Sequence, residues 1–117
     1  MQTGIDVVEN SRFLDSIKRN GGRLRERLFS PEELQGEKTD KQLAAAFSAK
    51  ESIAKALGTG FDETLSWHDI VISFTGNGIQ ALLRNRALEL AEGRKVFLSS
   101  TCDGGKTITI ALLSERG

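Results

Sequence analysis

Glu51 and Lys55 stand four residues apart in DKQLAAAFSAKESIAKAL, residues 40–57. On a helix that spacing puts both on one face, with Ser48 one turn earlier and Ser52 beside them. Alone, they make an ordinary surface Glu–Lys pair. Asp6 changes their meaning, because it interrupts TGIDVV, an alternating β-branched stretch that reads as a strand. An unpaired carboxylate in such a strand is costly to bury. A strand carboxylate and a helix carboxylate could instead meet over a divalent cation. Magnesium suits that arrangement: it accepts one or two carboxylates, keeps some waters and takes phosphate oxygens. A lysine beside it would pair with phosphate as a point charge.

The elements that must position these groups follow from the pattern. Ile5 and Val7 share one face of the opening strand, and Asp6 and Val8 the other. Phe13, Leu14 and Ile17 predict a helix over 11–20, stopped by Gly21-Gly22. Ser30-Pro31-Glu32-Glu33 is a helix start, with Ser30 as N-cap and Glu33 completing a capping box. The longest helix is expected from Asp40 to Leu57, ended by Gly58 and Gly60. Strands follow at Ile70–Phe74 and Ile79–Leu83 around an Asn77-Gly78 turn. A helix over 86–92 and a hairpin of strands, 95–101 and 107–113, complete the chain. This order predicts an α+β fold, an antiparallel sheet packed against a long central helix.

The 117 residues fit one domain, 1–117, with 38% apolar and 27% charged residues. A core this small gains from burial against another subunit. Sixteen basic residues cancel sixteen acidic ones, which argues against a nucleic-acid-coating protein. Cys102 is the only cysteine, so no internal disulfide is possible and a cysteine zinc site is not expected. No apolar run approaches the ~20 residues a bilayer span needs. The opening MQTGIDVVEN lacks the basic and apolar regions of a signal peptide, so the expected location is cytoplasmic.

Four motifs together carry a resemblance: GIDVVE, ERLFSPEEL, FSAKESIAKALGTG at 47–60 and SWHDIVIS at 66–73. In this order and spacing they resemble the holo-acyl-carrier-protein synthases, the short single-domain class of 4′-phosphopantetheinyl transferases. The resemblance implies that family's fold and a homotrimer with active sites between subunits. It implies transfer of 4′-phosphopantetheine from coenzyme A to a serine of an apo acyl carrier protein, releasing adenosine 3′,5′-bisphosphate. By resemblance, Asp6 and Glu51 are the magnesium ligands and Lys55 lies near the phosphates. Asp6, Glu51 and Lys55 are then the catalytic set. Glu51, through a metal-bound water, is one candidate base for the attacking serine, and the identity of the base stays open. Lys50, Lys55, Asn77, Gly78, Thr101 and Cys102 fall at positions implied to bind coenzyme A. Arg12, Lys18 and Arg19 fall where the family docks its acidic carrier.

Three positions depart from the family pattern. Ala46 stands where the family has arginine, Ile79-Gln80 replace the Lys-Pro of the turn, and Cys102 replaces a histidine. All three belong to the nucleotide end of coenzyme A. Losing one charged hydrogen bond to phosphate is worth roughly 1.5–3 kcal/mol. The departures leave two other readings: a transferase with altered donor or carrier choice, and a silent homologue that binds a carrier or a nucleotide. Cys102 itself is expected to be a semi-buried filler at a strand end. His68, the only histidine, is expected at the surface or in a capping role rather than beside Cys102, and Trp67 as a core or interface anchor.

Overall fold

The computed structural model describes residues 2–62 and 64–115. Strand β1 (Gln2–Glu9) leads into helices α1 (Asn10–Arg19), α2 (Gly21–Leu28) and α3 (Pro31–Leu34). Helix α4 (Asp40–Leu57) follows, then a single 3-10 turn (Trp67–Asp69). The chain closes with β2 (Ile70–Thr75), β3 (Gly78–Leu83), α5 (Asn85–Ala91), β4 (Val96–Asp103) and β5 (Lys106–Leu113). The strands form two antiparallel sheets rather than the one expected: β1-β5-β4, and a β2-β3 hairpin.

Helix α4 packs on β1 and β5 and buries Leu43, Ala44, Ala49, Ile53, Ala54 and Leu57. Its N-terminus is held by a capping box between Thr39 and Gln42, and Gly58 caps its end. Small residues on this helix let β1 come close. At Gly4 the approach is so tight that a Cβ would sit 1.9 Å from the Ser52 carbonyl oxygen and 2.7 Å from the Ala56 nitrogen. Only glycine fits there.

Alternation along β1 is as expected, but the acid-bearing face is the inner one. Gly4 and Val8 are buried and Asp6 nearly so, whereas Ile5 and Val7 are more than half exposed. Ile5 pairs with Ile110 on β5, so the outer sheet face carries Ile5, Val7 and Ile110, with Phe97 on β4.

Helix α2 is the element the pattern did not announce. Gly21 does end α1, with a φ of 57° that favours glycine. The residues after Gly22, RLRERL, are good helix formers and restart a helix at once. The start of α3 is as expected: the Ser30 hydroxyl accepts from Glu33 N, and Glu33 Oε1 accepts from Ser30 N at 2.8 Å.

Candidate active site

A groove of about 680 Å³ opens where β1, α1, α2 and α4 meet. Asp6 comes from the inward face of β1, and Glu51 from α4. Val8, Phe13, Leu24, Leu28 and Phe47 give the groove an apolar wall. Arg12, Glu9 and Lys106 are its other charged side chains. Phe13 stacks on Phe47 at 4.5 Å, and Phe47 on Trp67 at 5.6 Å, so the wall continues as an aromatic row. Phe61 extends that row, 3.7 Å from Trp67.

The Lys55 ammonium donates to Asp6 Oδ1 and to the Ile5 carbonyl oxygen, each at 3.0 Å. Asp6 Oδ2 is buried and has no hydrogen-bond partner among the described residues. Burial raises the Glu51 pKa above the ordinary carboxylate value, the Asp6 charge raises it further, and Lys55 opposes both. Two neighbouring carboxylates, one with an orphaned oxygen and one reluctant to ionise, are the donor set a hard dication accepts. No cluster of three or more His, Cys, Asp or Glu side chains with metal-binding placement exists among the described residues. The oxygen-only donor pair is of the kind magnesium accepts, since that ion takes one or two carboxylates and keeps waters.

Lys50 is elsewhere. Its side chain is fully buried, and it donates to Leu28 O at 2.9 Å, Glu33 Oε1 at 2.6 Å and Trp67 O at 2.9 Å. Those three bonds use all three ammonium hydrogens, so none is left for a ligand. Burial pulls the Lys50 pKa down, and the Glu33 carboxylate holds it up. Glu33 is the partner that sequence reasoning saw only as a cap. Its second oxygen accepts from Ile72 N at 2.8 Å, and nothing local in the sequence signals contacts across 17 residues to Lys50 or 39 residues to Ile72.

The remaining implied site residues form a second group. Gly78, Thr101 and Cys102 line a separate groove of about 330 Å³, where Lys41 is the single charged side chain among the described residues. Asn77 lies in the adjoining turn, exposed, with its N–H bonded to Thr75 Oγ1. Cys102 is exposed, which corrects the filler expectation; Asn10 Nδ2 donates to its sulfur at 3.5 Å. His68 is instead tied to the Glu26 carbonyl oxygen at 2.7 Å, the capping role expected of it. Ala46 is buried in α4. Arg12, Lys18 and Arg19 share a shallow cleft along α1 with Asp15 and Ser16, and Arg12 and Ser16 also border the carboxylate groove. Among the described residues no helix is long and apolar enough to cross a membrane.

Residues 2–111 match the family model of the 4′-phosphopantetheinyl transferase superfamily. The chain is 42% identical over 117 residues to a holo-(acyl-carrier-protein) synthase of Beutenbergia cavernae, covering 97% of this chain and 96% of that protein. It is 34% identical over 121 residues to the corresponding synthase of Geobacter sulfurreducens, with 97% and 96% covered. The fold matches the crystal structure of Helicobacter pylori holo-(acyl-carrier-protein) synthase in complex with coenzyme A, with a TM-score of 0.85. That match has 28% identity and covers 96% of this chain and 99% of that one. These names support a transferase over a silent binding protein. Sequence and fold agree over nearly the full length, and the chain belongs to the 4′-phosphopantetheinyl transferase superfamily, among its holo-(acyl-carrier-protein) synthase-like enzymes.

Proposed function

We propose that the chain transfers 4′-phosphopantetheine from coenzyme A to a serine hydroxyl of an apo acyl carrier protein. The serine oxygen bonds to the pantetheine-bearing phosphorus. The phosphoanhydride bond to the nucleotide breaks, adenosine 3′,5′-bisphosphate leaves, and the hydroxyl proton passes to a base. The observation that carries this reading is the Asp6–Glu51 pair at one groove, with Asp6 Oδ2 lacking any partner.

Asp6 and Glu51 are the residues that would hold Mg2+, which when bound offsets charge on the pyrophosphate and on the departing phosphate. Lys55, whose side chain is half exposed, serves as a point charge toward a phosphate oxygen while it fixes Asp6. Glu51, through a metal-bound water, is one candidate base for the serine proton. The exposed cations Arg12, Lys18 and Arg19 lie along α1 beside the groove, which suits an acidic carrier docking next to the reacting phosphate.

Gly78, Thr101 and Cys102, with Asn77 nearby, are proposed to take the nucleotide end of coenzyme A. They lie in a groove apart from Asp6 and Glu51, so this assignment is favoured by an assembly in which one subunit completes the site of another. The exposed apolar face of Ile5, Val7, Phe97 and Ile110 favours burial between subunits, in keeping with the homotrimer that the resemblance implies. A cytoplasmic location in fatty-acid or related lipid biosynthesis fits a donor and a carrier of this kind.

The experiment is incubation of the purified protein with coenzyme A, Mg2+ and several apo carrier proteins, read by intact-mass spectrometry. A mass gain of one phosphopantetheine on a carrier is expected. No gain on any carrier would reject the reading.

A further inference from the structure

The buried Lys50–Glu33 pair touches two walls of the carboxylate groove, α4, which carries Lys50, and α2, through Leu28. Lys50 bonds the carbonyl oxygen of Leu28, which lines the groove, and that of Trp67, which stacks on the groove residue Phe47. Glu33 bonds the N–H groups of Ser30 and Ile72, joining α3 and β2 to the same cluster. Lys50 also immediately precedes Glu51 on α4. Lys55, roughly 140° further round the helix at 3.6 residues per turn, ties the other side of α4 to Ile5 and Asp6 on β1. Two lysines thus hold α4 from two sides, and Glu51 projects between them.

A buried ion pair is poor at adding net stability, because desolvation offsets the attraction, and apolar residues of the same size do as well. Its better-attested use is to select one packing over its neighbours. Here the packing in question is the rotation of α4 against β1. Turning α4 about its axis would change the separation of Glu51 from Asp6.

We propose that Lys50 and Glu33 are positioning residues for the Asp6–Glu51 carboxylate pair, fixing the rotation of α4 and so the approach of Glu51 to Asp6. The metal arm of the test rests on the function proposed above; the geometric arm does not.

The variant Lys50→Met/Glu33→Gln removes both charges and nearly keeps the shape. Its control is Ile53→Val, which thins the buried core on the same helix without touching the pair. Mn2+ affinity is measured on each folded protein by electron paramagnetic resonance at low temperature, beside a thermal melt and a crystal structure. The double variant is expected to bind Mn2+ about tenfold more weakly, as for loss of an outer-shell support. Its structure is expected to show wider Asp6–Glu51 separation. Ile53→Val is expected to melt earlier with unchanged affinity and separation. Unchanged affinity and separation in the double variant would overturn the proposal, as would an equal loss in Ile53→Val. If the double variant does not fold, Glu33→Asp, which keeps both charges and shortens the reach by one methylene, is read the same way, with up to about a tenfold loss expected and no loss overturning. Should wild type bind no Mn2+, or Asp6→Asn leave binding intact, the metal reading fails. The carboxylate separation in the crystal structures then decides the positioning claim by itself.

Discussion

Lys55 holds Asp6 by one oxygen only: its ammonium is 3.0 Å from Oδ1, while Oδ2 stays buried and unbonded. The lysine fixes the aim of the strand carboxylate and leaves the other oxygen for a cation. Substituting Lys55→Met should therefore lower kcat/KM for coenzyme A by about 10- to 100-fold, the worth of a charge-assisted bond of roughly 1.5–3 kcal/mol. Mn2+ affinity should not fall in parallel, because Lys55 is the competitor for Asp6 and not a ligand. Steady-state kinetics with a metal titration separates the two effects.

Burial and the Asp6 charge raise the Glu51 pKa, and the direction sets a pH dependence. A carboxyl raised in the folded state binds protons more tightly there than in the unfolded chain. Its contribution to stability is thus full below its unfolded value near 4.5 and is lost as pH rises through the higher folded value. Without metal, Glu51→Gln should be more stable relative to wild type at about pH 8 than at about pH 4. Added Mg2+ should stabilise wild type more at the higher pH, and should do little for Glu51→Gln. Thermal melts at both pH values, with and without Mg2+, check this.

Gly4 sets the distance between the strand and helix that bring the two acids together. In Gly4→Ala the new Cβ would meet the Ser52 carbonyl oxygen at 1.9 Å, and backbone cannot yield as a flexible side chain does. The expected cost is about 1–3 kcal/mol of stability from overpacking, with a larger share of activity lost than of folded protein. Chemical denaturation alongside the transfer assay measures both.

Ser48 gives an opposite expectation. Its hydroxyl is fully buried in α4 without a hydrogen-bond partner. Ser48→Ala removes an unsatisfied polar group and should raise stability by up to about 1–3 kcal/mol while leaving transfer unchanged. A lower melting temperature would show that the hydroxyl has a role in the fold.

The groove proposed for the nucleotide end has Lys41 as its single charged lining residue among Gly78, Thr101 and Cys102. With so few charges, the preference for coenzyme A over dephospho-coenzyme A should be small. Competition between the two donors measures it, and a strong preference for coenzyme A would show that the 3′-phosphate is gripped by other groups.

Much of this arrangement was legible in the sequence because it is local. The Ser30–Glu33 capping box, the Gly58 stop of α4 and the alternation of β1 each depend on a few adjacent residues. Asp6 stood out because an acid inside an alternating apolar strand needs a physical reason. Helix α2 was hidden because the glycine that ends α1 also looks like the start of a loop, and the six residues after Gly22 give too short a pattern to read. Lys50 was misplaced for a different reason. Spacing puts it next to Glu51, but its direction depends on Leu28, Glu33 and Trp67, which only the tertiary fold gathers. That Gly78, Thr101 and Cys102 line a groove apart from Asp6 and Glu51 is likewise a matter of which strands pair, and no local pattern encodes it.

Asp6 and Glu51 are the centre of the functional proposal, so their removal during turnover is its most direct test. Wild type, Asp6→Ala and Glu51→Gln are each incubated with coenzyme A, Mg2+ and apo carrier protein, and the carrier is weighed by intact-mass spectrometry. Wild type should add one phosphopantetheine, and each variant should be slower by about 100-fold or more while remaining folded. Transfer at the wild-type rate in either variant would contradict the assignment of the carboxylate pair as the catalytic centre.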